Sequence, residues 1–162
     1  MAGVQPARIP TAALIDALAG SRYPFWFPQE AKDLAIDYFA YGTDFEPLGA
    51  SATTTRSIQI NSDSAFMVLS AVMVETDTGN TVFFANRPLL VQLATGGAAL
   101  NLFNQALHAD NVFGTAEEPK YWDVPKVLLP NTTFNVTLQN LEAVARNVRV
   151  AFHGFKLFQF SK

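Results

Sequence analysis

From about residue 35 onward, apolar side chains recur at every second position rather than every third or fourth. In residues 132–139, Phe134, Val136 and Leu138 alternate with Thr133, Asn135, Thr137 and Gln139, which gives an extended chain one apolar and one polar face. Residues 53–60 begin with a β-branched run and then alternate Ile58 and Ile60 with Gln59, before Asn61-Ser62-Asp63-Ser64 supplies a turn. Residues 66–76 are apolar almost throughout, as expected of a strand covered on both faces, and Asp77-Thr-Gly-Asn80 follows with turn residues. Further strands are expected at 89–94 and 100–103. A last one spans 147–158, with Val148, Val150 and Phe152 inward and a slip of the alternation at Gly154, as a bulge or bend would make it. Residues 33–41 fit either period, and their Ile, Tyr and Phe content ahead of Gly42 favours a strand. Residues 107–130, punctuated by Asn111, Gly114, Pro119, Pro125 and Pro130, read as mostly irregular, and 140–146 as a corner.

The first 34 residues follow another pattern. Thr11 can cap a short helix over residues 12–19, with Leu14, Ile15 and Leu18 on one side and Gly20 ending it. In Tyr23-Pro-Phe-Trp-Phe-Pro28 two prolines remove backbone donors and bias the chain toward an extended form. The patterns together predict a mainly β protein: an N-terminal arm with a short helix over 1–34, then an antiparallel, jelly-roll-like β-sandwich over 35–162.

Composition narrows the function. A chain of 162 residues, 49% hydrophobic, fits one core. It has no cysteine, the N-terminal residues lack the pattern of an export signal, and the apolar run 66–74 is far short of the ~20 residues a membrane-spanning helix needs. Cytoplasmic synthesis without membrane insertion is therefore expected. The net charge of -3 comes with no cluster of Lys or Arg, so nucleic acid is not an expected partner.

Candidate chemistry is sparse, and neither catalysis nor a metal or cofactor is expected. The spacing of His108 and Asp110 is common by chance, and His153 falls on the outward side of the last strand. Glu117 and Glu118 are adjacent in an extended segment and point apart. The Asn61-Ser-Asp63 start of a calcium loop is not continued, because Phe66 and Val72 stand where Gly and Glu would be needed. Two N-x-[ST] triplets, at Asn131 and Asn135, follow from the Asn and Thr content of a polar strand face and mark glycosylation only in a secretory context. The aromatic residues, 14 Phe, 4 Tyr and 2 Trp, say more. Tyr23, Phe25, Trp26 and Phe27 crowd into the arm and form a candidate interface, the alternative being that they pack back on the chain's own sandwich. Burying them against a neighbouring subunit would contribute roughly 6–10 kcal/mol before ordering costs. Tyr121 and Trp122 are a second candidate, able to pack on a partner or stack on a sugar ring.

The order of several short segments then carries a resemblance. Tyr38-Phe-Ala-Tyr-Gly42, Thr54-Thr-Arg-Ser-Ile-Gln-Ile60 with Asp63-Ser-Ala-Phe66, Asn111-Val-Phe-Gly114, Leu129-Pro-Asn-Thr132 with Val136-Thr-Leu138, and Val150-Ala-Phe-His-Gly-Phe-Lys-Leu-Phe158 resemble tailed-bacteriophage virion structural proteins, in particular capsid decoration or minor capsid proteins. The resemblance covers about residues 36–158. It implies a β-rich, non-enzymatic protein on the capsid exterior, made in the bacterial cytoplasm. Its expected partners are the major capsid protein and copies of itself, as a dimer or trimer. A neck, tail or baseplate protein and a carbohydrate-binding module for host attachment are the alternatives.

Overall fold

The computed structural model describes residues 34–76, 82–83, 87–96 and 100–159. The short helix and arm expected over 1–34 lie outside the described residues except for Leu34. Within them run β1 (Leu34–Leu48), β2 (Thr53–Gln59), β3 (Ala65–Thr76), β4 (Val82–Phe83), β5 (Leu89–Thr95), β6 (Leu100–Asn101), β7 (Leu107–His108), one helical turn α1 (Ala109–Val112), β8 (Lys120–Leu128), β9 (Thr133–Asn140) and β10 (Arg146–Gln159).

The strands pair antiparallel in two sheets. One has the order β1-β10-β3, with β4 and β8 both on the far side of β3; the other has the order β2-β9-β5, with β6 and β7 on β5. The longer strands β1, β2, β3, β5, β8, β9 and β10 alternate between the sheets in chain order, except that β5 and β8 are separated by the short strands. This is the winding of a jelly roll. The predicted antiparallel sandwich is the observed fold.

Alternation fixes which side chains fill the space between the sheets. Phe134, Val136 and Leu138 of β9 meet Val148, Val150 and Phe152 of β10 in one buried cluster with Phe45, Ile58, Phe66, Val68, Leu89 and Val91. Phe152 is its aromatic centre, with the Phe134 ring 4.9 Å away across the sandwich and the Phe113 ring at 5.7 Å. The expectation that residues 66–76 are covered on both faces holds over the first part of β3. Phe66 and Val68 point into the core, while Ala65 and Met67 on the other face are also buried, in a small second cluster with Leu157.

Where β2 pairs with β9, the outer face of the second sheet is polar and internally bonded. Thr55 Oγ1 lies 2.8 Å from Thr137 Oγ1, Ser57 Oγ donates to Asn135 Oδ1 at 2.7 Å, and Thr133 Oγ1 donates to Gln59 Oε1 at 3.2 Å. The corner after β9 is clasped by Asn140, whose Nδ2 donates to the Gly49 and Val144 carbonyls at 3.1 and 2.7 Å.

Three expectations change in detail. Residues 107–130 are not mostly irregular, since they hold β7, α1 and the nine-residue β8. Pro125 hid that strand. The β3–β8 ladder passes from Val68↔Lys126 to Ser70↔Tyr121, so Pro125 sits at an irregularity on a strand that, among the described residues, pairs with β3 alone, where a missing donor is tolerated. The first strand runs on to Leu48, past Gly42, because β10 is long enough to pair with it from Leu34 to Leu48. At Gly154 the extra residue belongs to β3. His153 faces Ser70 and Gly154 faces Val68, leaving Leu69 as the bulge. Along β10 the apolar pattern shifts because Phe155 and Leu157 join the outer cluster. Lys156 meanwhile lies buried with its ammonium 4.1 Å from the centre of the Phe39 ring.

Candidate functional site

The bulge at Leu69 and the irregular pairing of β8 leave a groove on the outer face of the β1-β10-β3-β8 sheet. Its volume is about 500 Å³, and Tyr38, Leu69, Pro119, Tyr121, His153 and Phe155 are among the residues lining it. Register places them. Tyr38 stands opposite Phe155, and Phe155 opposite Met67; in the next row His153 stands opposite Ser70, and Ser70 opposite Tyr121. Tyr38 and Tyr121 are 65% and 68% exposed, which is unusual for large aromatic side chains on a packed sheet.

The groove has an internal frame. The Tyr38 hydroxyl and His153 Nδ1 are hydrogen-bonded at 2.6 Å, with the two rings stacked 24° from parallel. The Tyr38 ring also meets the Phe155 ring edge-on, with centroids 6.2 Å apart. Among the described residues no Asp, Glu, Lys or Arg lines it. Its chemistry is that of a neutral aromatic slot suited to apolar or planar groups rather than ions.

The sequence-derived candidates fare differently. Tyr23, Phe25, Trp26 and Phe27 lie outside the described residues. Tyr121 and Trp122 are parted by the strand they share, because successive side chains of β8 point to opposite faces. Tyr121 faces outward into the groove. Trp122 turns inward, where its Nε1–H donates to the Val112 carbonyl at 3.3 Å and its ring meets Phe152 edge-on at 6.2 Å. The two therefore do not form one stacking platform. His153 faces the groove as its outward position predicted. His108 Nδ1 is 3.7 Å from Asp110 Oδ2, but Asp110 is held by Arg87, whose backbone N–H donates to it at 3.2 Å.

Tyr38, Leu69 and Phe155 were missed as site residues. Two apolar side chains at alternating outward positions, Phe155 and Leu157, were the available signal.

A second group of polar residues lies inside the sandwich. Glu75 occupies the inward position after Ala71 and Met73 and is fully buried, with Arg146 Nε 3.6 Å from its Oε1. Burial raises its pKa above the usual carboxylate range, against the opposing pull of Arg146 and Arg87. Arg87 is also buried. Its guanidinium donates to the Met73 and Gly114 carbonyls at 3.4 Å and pairs with Asp110 at 3.5 Å, and burial lowers its pKa. These contacts tie the segment after α1 to β3. Among the described residues no three His, Asp or Glu side chains gather where they could hold a metal ion.

No protein-family model matches the chain, and no curated protein matches it. Two solved structures share a loose likeness. A chain from the structure of infectious bursal disease virus, Gx strain, is 9% identical with a TM-score of 0.31, over 78% of this chain and 32% of its own length. One from the Gt strain is 9% identical with a TM-score of 0.23, over 80% of this chain and 42% of its own. The chain thus spans less than half the length of either, and likeness at this level carries no conclusion about function.

Proposed function

We propose that the chain is a non-enzymatic structural protein of a virus particle and, more specifically, a decoration or minor capsid protein that binds and stabilises the shell of a tailed bacteriophage. The observation that carries this reading is the outer aromatic groove, with Tyr38 and Tyr121 largely exposed over an apolar floor on a sandwich whose interior is filled by its own core. Such a surface supports adhesion between subunits, because exposed aromatic anchors give binding energy where they meet a partner. The jelly roll adds support by analogy of fold, being common among capsid domains. The order of segments shared with phage virion proteins points the same way. The mechanism is passive: a rigid sandwich buries area at the seams of a shell, and the aromatic arm extends the contact.

Mass spectrometry of purified particles tests this. Presence at hundreds of copies per particle is expected for shell decoration, whereas a single small ring of copies indicates a neck, tail or baseplate position. Absence from particles overturns the virion reading.

A carbohydrate-binding role is kept alive by one observation: Tyr121 is exposed beside His153 in a groove that could accept a sugar ring, on a fold also used by lectins. Glycan-array binding that is lost in Tyr121→Ala would establish it, and a blank array with the wild-type protein would remove it.

A further inference from the structure

The groove and the arm are chemically matched. Tyr23-Pro-Phe-Trp-Phe-Pro28 contains no charged residue, and among the described residues no Asp, Glu, Lys or Arg lines the groove. Proline-flanked segments favour the extended polyproline conformation, which aromatic-lined grooves bind at low entropic cost. The groove's exposed rims, Tyr38 and Tyr121, with Pro119 beside them, supply such a lining.

Chain length allows the arm of a neighbouring molecule to fit. β1 starts at Leu34 opposite Gln159 and runs toward Tyr38, four residues further on and opposite Phe155. The groove thus begins about 13 Å along the strand from its start. Phe27 precedes Leu34 by seven residues, a reach of at most about 25 Å, enough to cross to an adjacent molecule. The groove of the same chain also lies within that span, and mixed isotope labels distinguish the two.

We propose that the groove framed by Tyr38, Leu69, Tyr121, His153 and Phe155 is the receptor for the aromatic arm, residues 23–28, of a second copy of this chain. The inference rests on the reading of the protein as an assembling structural component, and it names the surface through which copies join. Each molecule then offers one arm and one groove. Copies can exchange arms reciprocally or pass them head to tail around a ring.

The test uses the full chain carrying the photo-reactive substitution Trp26→benzoylphenylalanine, prepared with light and with heavy nitrogen, mixed in equal amounts in denaturant and refolded together before irradiation. The expected result is cross-links from position 26 to the peptides containing Tyr38 or Tyr121, with light–heavy pairs about as frequent as same-label pairs. Tyr38→Ser with Tyr121→Ser, both at exposed positions, should cut the yield at least tenfold while the circular dichroism spectrum is unchanged. Same-label pairs alone would show each arm lying on its own chain and overturn the proposal. So would cross-links to any other surface, no cross-links, or a yield unaffected by the groove substitutions. Because the experiment uses purified chain, its failure leaves the particle mass spectrometry to judge the virion reading separately.

Discussion

Gly154 faces the Met67 carbonyl across the β10–β3 ladder so closely that a Cβ added to it would fall far inside van der Waals contact with that backbone. The approach occurs where Leu69 bulges out of β3, so the glycine permits the bulge that shapes the groove. Backbone cannot swing aside as a flexible side chain can. Gly154→Ala should therefore lower stability by about 2–3 kcal/mol, a fall in Tm of roughly 5–10 °C by thermal circular dichroism. An unchanged Tm would mean that the two strands can separate locally at little cost.

Tyr121 and Trp122 should separate stability from assembly. Trp122→Ala removes a ring packed on Phe152 and a hydrogen bond to Val112, and should cost about 2–4 kcal/mol in denaturant unfolding. Tyr121→Ala should shift stability by less than about 0.5 kcal/mol, since the side chain is 68% exposed, yet weaken self-association in sedimentation velocity. Equal effects on stability would contradict the opposite facing of the two side chains.

Glu75 gives a pH dependence of definite sign. Burial raises its folded-state pKa above the model-peptide value of 4.5, so between those two values the folded protein binds more proton than the unfolded one. The contribution is fully present below 4.5 and is lost as pH rises through the folded pKa. Glu75→Gln cannot titrate. The stability of the wild type relative to Glu75→Gln should therefore increase as pH falls from 7 toward 4.5, as read from urea midpoints at several pH values. A difference that stays constant, or that shifts in favour of Glu75→Gln on acidification, would contradict the assignment.

Asn131 has φ 59° in the turn between β8 and β9, a left-handed conformation that Asn and Gly adopt at low cost. Asn131→Gly should be nearly neutral, and Asn131→Val should cost about 1–2 kcal/mol in thermal unfolding. The reverse order would show that the amide side chain, not the backbone, sets the turn.

Much of the sandwich was legible from alternation. Residues 133–140 and 146–159 lie close to the predicted strands because one face of each must enter the core, and a slip by one residue would expose every apolar side chain on it. β8 was not legible. Pro125 and the neighbouring turn residues disguised it, and its tolerance of proline depends on pairing, among the described residues, with β3 alone, a property of the sheet rather than of the segment. The groove was half legible. Tyr121 was singled out, but Trp122 was grouped with it because the pair was read as a loop, and loop neighbours need not point apart. Tyr38 and Phe155 become site residues only through the β1–β10 pairing, which joins positions more than a hundred residues apart.

The hydroxyl and amide ladder of Thr55–Thr137, Ser57–Asn135 and Thr133–Gln59 has a consequence for how large an assembly can grow. Its groups already satisfy one another, so the β2–β9 part of that face offers a neighbour few unpaired hydrogen-bonding groups. A molecule with one adhesive side and one self-satisfied side is a tile rather than a brick. On the proposed assembly, contacts through the aromatic side would turn this ladder outward, and growth perpendicular to the sheets would end with that layer.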